Sequence, residues 1–227
     1  MRISLAVLSA SALLAATTLY GQEQVETVTK KTAGPTFTPV TDAMLKNART
    51  DGKNWLMVGR DYTNQRWSPL TQITTENVHN LRVSWMYQTG IGRLGSFETS
   101  PVVVDGVMYV TTPYSTAMAV DARTGKEIWR YEPKLATTIF CCGPNNRGVA
   151  VSGQTVYFGT LDARLIALDA QTGKVKWNVE VADPDAGYSE THAPIVIGDK
   201  VIVGISGGEY GIRGFVRAYN KETGEVV

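Results

Sequence analysis

The sequence predicts an all-β chain made of repeated four-stranded units docked on one another by tryptophan. Two observations carry this. The phrase Ala119-Val-Asp-Ala-Arg-Thr-Gly-Lys-Glu-Ile-Trp129 returns as Ala167-Leu-Asp-Ala-Gln-Thr-Gly-Lys-Val-Lys-Trp177 and begins again at Ala218-Tyr-Asn-Lys-Glu-Thr-Gly-Glu-Val-Val227, its starts 48 and 51 residues apart. A period of this size belongs to propellers and solenoids, whose units cannot bury their own apolar faces and must stack on neighbours. The apolar runs are short, rich in Val, Ile, Tyr and Trp, and separated by frequent glycine, 22 residues in all, which is the pattern of short strands joined by tight turns. The third phrase stops where the next residue should be Trp, so the 227 residues read as the front of a larger ring.

Taken in order, residues 1–21 read as a secretory signal peptide. Arg2 supplies the positive charge, Ile3 to Ala16 the apolar run, and Thr17 to Gly21 room for cleavage. The run is short for a membrane-spanning helix, so the expectation is export to the periplasm without stable membrane insertion. Residues 22–80 form a leader and arm. Gln22 to Pro39 reads as a flexible leader, Asp42 to Ala48 as a short helix with Thr41 or Asp42 as N-cap, and Asn54 to Leu70 as an irregular arm carrying Trp55, Tyr62 and Trp67.

The repeated region, residues 81–227, opens with an expected strand over Leu81 to Gln88. Unit one then uses Pro101 to Val104, Val107 to Thr111, Thr116 to Asp121 and Ile128 to Tyr131, with Asp105-Gly106 as a hairpin turn. Unit two uses Val149 to Val151, Thr155 to Gly159, Arg164 to Asp169 and Val175 to Val179. Unit three uses Pro194 to Ile197, Val201 to Ile205 and Gly214 to Asn220. Four short strands make one propeller blade. The pairs Thr124-Gly125, Thr172-Gly173 and Thr223-Gly224 close the last hairpin of each unit, where Gly accepts φ > 0. Trp85, Trp129 and Trp177 recur at one place per unit and are expected to pack on the neighbouring unit's turn.

Composition excludes some function classes. Lys and Arg number 22 against 21 Asp and Glu, leaving no basic field for nucleic acid and no polybasic membrane patch. Two cysteines and two histidines make no zinc-type cluster. Gly90-Ile-Gly-Arg-Leu-Gly95 fits a dinucleotide fingerprint but is followed by Ser96-Phe-Glu-Thr-Ser-Pro101 and a strand, not by the helix that would hold a pyrophosphate. Gly204-Ile-Ser-Gly-Gly208 fits a nucleophile elbow, yet both histidines, His79 and His192, precede it, and His192 reads as a loop or surface residue.

The chemistry-bearing residues lie in loops. Adjacent Cys141-Cys142 either form a small strained ring or stay as free thiols. A bond there adds nothing as a staple, so its use would be as a flat polarizable surface, and an oxidising compartment favours it. Arg147, five residues on, can hold a carboxylate with both arms of its guanidinium, or be an ordinary surface arginine. Glu98 and Glu209 sit in loops, Glu209 after glycines that permit close approach. Their oxygens suit a hard cation, and solvated loop carboxylates are the alternative.

Together these stretches resemble the N-terminal part of pyrroloquinoline quinone (PQQ)-dependent alcohol dehydrogenases of the methanol/ethanol type. The matches are Trp-Ser-Pro-Leu (67–70), Phe-Glu-Thr-Ser-Pro (97–101), the Trp repeat, Cys-Cys-Gly-Pro-Asn-Asn-Arg-Gly (141–148), Gly-Thr-Leu-Asp-Ala (159–163), Thr-His-Ala-Pro (191–194) and Ser-Gly-Gly-Glu-Tyr-Gly (206–211). The resemblance implies an eight-bladed β-propeller of which this chain carries roughly the first three blades. It also implies a disulfide of Cys141 and Cys142 stacked on the quinone, with Arg147 on a PQQ carboxylate. Glu98, Thr191, Ser206, Gly207 and Gly208 become further cofactor contacts, and Glu209 a ligand of Ca²⁺ or a lanthanide. The implied reaction takes a primary alcohol to an aldehyde and passes electrons to a cytochrome c, and a homodimer is the assembly considered. No residue here matches the family's catalytic Asp, its metal-ligating Asn or its second stacking Trp, so no catalytic residue is assigned and the chain alone is expected to be inactive. The competing reading is a non-catalytic binding or assembly propeller, which has no need of Cys141-Cys142 with Arg147.

Overall fold

The computed structural model describes residues 26–91, 96–140 and 143–227. The three repeats fold as three antiparallel sheets. In the first, β2 (Val102–Val104), β3 (Val107–Thr111), β4 (Ala117–Asp121) and β5 (Glu127–Glu132) form a meander, and β1 (Thr27–Lys30) pairs with the free edge of β5. The second is the meander β6 (Ala150–Ser152), β7 (Thr155–Gly159), β8 (Arg164–Asp169) and β9 (Val175–Glu180). The third holds β10 (Ile195–Ile197), β11 (Lys200–Gly204) and β12 (Val216–Asn220), with Val226 bridged to Tyr219. The one α-helix among the described residues, α1 (Asp42–Lys46), starts where Thr41 Oγ1 accepts the Met44 amide at 3.2 Å, a side-chain N-cap. The all-β expectation holds.

The repeated phrase builds a turn and a docking surface at once. Asp121 Oδ1 accepts the amides of Arg123 and Thr124, Asp169 Oδ1 those of Gln171 and Thr172, and Asn220 Oδ1 those of Glu222 and Thr223. Each turn closes when the glycine, at φ of 71°, 72° or 75°, donates its amide back to the carbonyl of that Asp or Asn. Asn220 makes the same turn as the two Asp residues, so an acceptor oxygen is required there and a charge is not.

The tryptophans then join sheet to sheet. Trp85 Nε1 donates to the Ala122 carbonyl at 3.1 Å, Trp129 Nε1 to Ala170 at 2.9 Å, and Trp177 Nε1 to Lys221 at 3.2 Å. Each acceptor lies in the turn of the following sheet. A tyrosine doubles two of these bonds: Tyr109 Oη also reaches the Ala170 carbonyl and Tyr157 Oη that of Lys221. Small Ala119 and Ala167 pair between each Tyr and its Trp, leaving room for the two rings to tilt against each other at 6.0 and 5.7 Å. All of β7 is buried because sheets cover both its faces, whereas β9 alternates exposed and half-buried.

The first strands of consecutive sheets lie side by side, β6 against β10, and the arm runs along this edge. Trp55 exchanges both backbone bonds with Val103 of β2, Val40 does the same with Gly153, and Tyr62 Oη donates to Val196 of β10 at 2.6 Å. The arm thus pairs strand-edge groups that would otherwise go unmatched.

Two expectations are corrected. Residues 81–88 form no strand, since no described strand lies beside them to pair with. The stretch is extended, and it turns Trp85 and Tyr87 inward while Val83 and Met86 are exposed. The segment up to Pro39 is not a loose leader in its described part. β1 is hydrogen-bonded to β5 and Phe37 is buried edge-on against Tyr109. The signal-like residues 1–21 and most of the glycine loop 90–95 lie outside the described residues. Among the described residues no helix is long and apolar enough to cross a membrane.

Candidate functional site

Antiparallel pairing places the lead-in to each first strand and the loop between the second and third strands at the same end of a sheet. The singled-out residues fall in these two kinds of loop. Glu98 precedes β2, Arg147 precedes β6 and Thr191 precedes β10, while Ser206, Gly207, Gly208 and Glu209 follow β11.

The fold brings Glu98, Arg147 and Thr191 together, one residue from each sheet. Arg147 Nη2 pairs with Glu98 Oε2 at 2.8 Å, and Arg147 Nη1 donates to Thr191 Oγ1 at 2.9 Å and to the Thr191 carbonyl at 3.3 Å. Main-chain bonds hold the same three loops: Arg147 N–H to the Thr191 carbonyl at 3.0 Å, and Ser100 N–H to the Arg147 carbonyl at 3.1 Å. Gly148 permits this contact. A Cβ there would stand 2.9 Å from the Ser100 carbonyl oxygen, and its φ is 126°.

Ser206 joins the cluster through Ser189, two residues before Thr191. The pair exchange backbone bonds at 3.0 and 2.8 Å, and Ser206 Oγ donates to the Ser189 carbonyl at 2.8 Å. Gly207 packs so tightly on this bridge that a Cβ would lie 2.1 Å from the Gly187 carbonyl oxygen. Gly208 faces open space, and Glu209 follows it, exposed, in a single 3₁₀ turn where a nucleophile elbow would need a full helix. Cys141 and Cys142 lie outside the described residues.

Three residues that the sequence did not single out shape this cluster, together with His192. Buried Asn146 donates from Nδ2 to the Gly159 carbonyl at 2.9 Å and accepts the Gly148 amide at 3.2 Å, fixing the loop that carries Arg147. Ser189 carries the bridge to Ser206. Glu190 is fully buried. His192 lies in a loop, as expected, and is partly buried there; its Nε2 accepts the Gly204 amide at 3.0 Å. That bond fixes the neutral tautomer with the proton on Nδ1. Burial, and next the Arg147 charge, hold the His192 pKa below its usual value. The polar run Pro144-Asn-Asn-Arg-Gly148 was the available signal for Asn146 and the Thr-His-Ala-Pro stretch that for His192; Ser189 and Glu190 lie where the sequence reads as an ordinary loop.

A cavity of about 550 Å³ opens beside the cluster, between the arm and the lead-ins to β6 and β10. Asp61, Tyr62 and Arg66 line it from the arm, and Glu98, Arg147 and His192 from the sheets. Arg147 keeps 46% of its side chain exposed although Glu98 and Thr191 already hold it. A forked cation, hydroxyls and backbone edges suit a planar ligand bearing carboxylates. For a metal the fit is one-sided. Glu209 offers one carboxylate where Ca²⁺ takes six to eight oxygens, and the described residues contain no group of three or more His, Cys, Asp or Glu able to hold an ion.

Comparison with known proteins adds three findings. Residues 55–227 match the family described as "PQQ: Glucose/ethanol/alcohol dehydrogenase, beta-propeller domain". Quinohemoprotein alcohol dehydrogenase ADH IIB of Pseudomonas putida is 46% identical over 82% of this chain and 27% of its own length, and quinoprotein alcohol dehydrogenase PedH of the same species is 47% identical over 72% and 28%. Among solved structures, quinohemoprotein alcohol dehydrogenase ADHIIG from P. putida superposes with a TM-score of 0.78 at 43% identity over 83% of this chain and 28% of that one. A europium-containing methanol dehydrogenase gives 0.75 at 39% over 82% and 33%. The chain spans about a quarter of the length of the curated relatives it matches.

Proposed function

The chain belongs to the glucose/ethanol/alcohol dehydrogenase β-propeller family, and on that premise we propose that it forms the cofactor-holding front of a PQQ- and metal-dependent dehydrogenase that oxidises a primary alcohol to an aldehyde. The observation that carries the reading is the Glu98–Arg147–Thr191 cluster. Three sheets converge there to present a guanidinium and hydroxyls at one point, beside a cavity large enough for a small planar ligand.

In this reading Arg147 binds a carboxylate of the quinone in the plane of its fork, and Glu98 keeps that fork turned toward the cavity. Thr191 and Ser206 add hydroxyl contacts. Gly208 leaves the backbone bare so that the ligand can approach it, Gly207 sets the loop by its close contact with Gly187, and Glu209 would supply one oxygen to Ca²⁺ or a lanthanide. Cys141 and Cys142, outside the described residues, would supply the disulfide that the family resemblance implies. When bound, PQQ with its metal supplies the redox chemistry, and the chain supplies position and field.

Electrons pass to a cytochrome c in this proposal. One relative, from Thauera butanivorans and 44% identical, is named 1-butanol dehydrogenase (cytochrome c). Export to the periplasm completes the reading and rests on the signal-like residues 1–21.

The test is titration of PQQ, with Ca²⁺ or La³⁺, into the protein, followed by quinone absorbance. Saturable binding that Arg147→Ala abolishes supports the reading, and binding that ignores Arg147 sinks it. The 227-residue chain by itself should show no dye-linked alcohol oxidation, since none of its residues matches the catalytic Asp that the family resemblance calls for.

A further inference from the structure

Glu190 is a buried acidic side chain beside the site that the proposed function leaves unused. It is fully buried, and neither of its carboxyl oxygens has a hydrogen-bond partner among the described residues. Its backbone is firmly held: the amide donates to the Thr160 carbonyl at 3.0 Å. The fold makes room for it. A Cβ on Gly159 would stand 2.2 Å from Glu190 Oε2 and 2.6 Å from its Cβ, so the carboxyl rests on bare backbone at the end of β7. Asn146 binds the carbonyl of that same glycine. Asn146-Arg147 and Glu190-Thr191 are therefore matched dipeptides: each buries its first residue on Gly159 and offers its second to the cluster.

The charged and titratable groups on the surrounding elements are already engaged. Arg164 of β8 pairs with Asp162 at 2.9 Å. Arg147 is held by Glu98 and Thr191, and His192 by Gly204. On β12, Arg217 donates to the Val181 carbonyl at 2.9 Å and to Tyr219 Oη. Tyr219 feels the Glu190 charge without hydrogen-bonding to it, and no cation pairs with the carboxyl among the described residues, so a negative charge there would be buried without compensation.

We propose that Glu190 is a positioning residue of this site: keeping its proton, it braces the stretch Ser189–Thr191, which grips Arg147 on one side and Ser206 on the other. Burial pushes the Glu190 pKa well above the usual carboxylate range, as this role requires. The folded state then holds a proton that the opened state has lost, so the brace weakens as pH rises and is strongest near and below the ordinary carboxyl pKa.

Two measurements test this on the chain as it exists, without cofactor. Infrared difference spectra of the protein against Glu190→Gln at neutral pH should show the carbonyl stretch of a protonated acid; carboxylate bands in its place overturn the proposal. Hydrogen exchange at the Arg147 and Ser206 amides, which donate to Thr191 and Ser189, reads the brace itself. Corrected for intrinsic rates, protection should fall by up to about tenfold per pH unit above the ordinary carboxyl pKa. It should stay flat in Glu190→Gln and in Glu190→Met, which keeps length without a titrating group. The same pH dependence in all three proteins overturns it. A weaker hold on the quinone at alkaline pH would follow, and that consequence alone rests on the dehydrogenase reading. Failure of these cofactor-free measurements leaves that reading standing.

Discussion

The indole of Trp129 lies against Gly173 of the next sheet so closely that a Cβ on the glycine would come within 2.8 Å of two ring atoms, while Nε1 holds the Ala170 carbonyl three residues earlier. One side chain thus covers a turn and satisfies it. Trp129→Ala should cost about 3–5 kcal/mol, the range for deleting a large buried aromatic ring. Gly173→Ala meets both the ring and a φ of 72°, so it too should destabilise, although it adds a single methyl. Urea unfolding curves of the two variants check this, and an unchanged midpoint for Gly173→Ala would contradict the docking geometry.

This relationship was legible in the sequence because turn and ring recur together in one phrase, each residue having a single conformational job. The Thr41 cap and the Asp105-Gly106 hairpin were legible for the same reason, their signals being local. β1 was not. Its four residues are exposed and all but Val28 are polar, and only the free edge of β5, far away in the chain, makes them a strand. Residues 81–88 carry good strand composition but have no described partner to pair with. In the site, Arg147 and Glu98 could be named singly, yet their pairing depends on how three lead-in loops meet. Glu190 left no mark at all, because what sets it apart is the absence of partners around it.

Gly159→Ala should be destabilising by about 1–3 kcal/mol, since its new methyl must displace the Glu190 carboxyl from a packed interior. Combining it with Glu190→Ala should recover part of the loss, as the added methyl then enters space that the carboxyl has left. A double-mutant cycle from thermal or urea unfolding measures the coupling, and strict additivity would mean the two residues do not compete.

Arg147→Ala should separate binding from stability. Arg147 and Glu98 are 46% and 33% exposed at their side chains, so the pair contributes on the order of 0–1 kcal/mol to folding. Loss of the fork should nonetheless remove measurable PQQ binding. Arg147→Lys should recover only part, having the charge without the planar pair of donors. Melting curves beside a quinone absorbance titration give both numbers. A large drop in melting temperature for Arg147→Ala would recast the residue as structural.

His192 contributes to the acid side of the pH profile. Its Nε2 must stay unprotonated to accept the Gly204 amide, and burial with the Arg147 charge holds its pKa below the ordinary 6.5. Between the lowered value and 6.5, the unfolded chain binds a proton that the folded chain refuses. Stability contributed by neutral His192 is therefore fully present above 6.5 and declines as pH falls below it, with a slope of at most about 1.4 kcal/mol per pH unit. His192→Gln offers an amide oxygen to the same N–H and does not titrate. It should match the wild type near neutrality, within the roughly 1 kcal/mol of one hydrogen bond, and lose less stability on acidification to pH 5, above the range where most carboxylates respond. Unfolding free energies of the two proteins across pH 5 to 8 decide the matter. Parallel curves would show that His192 takes up its proton in the folded state as readily as in the unfolded one, and that the bond to Gly204 does not hold it neutral.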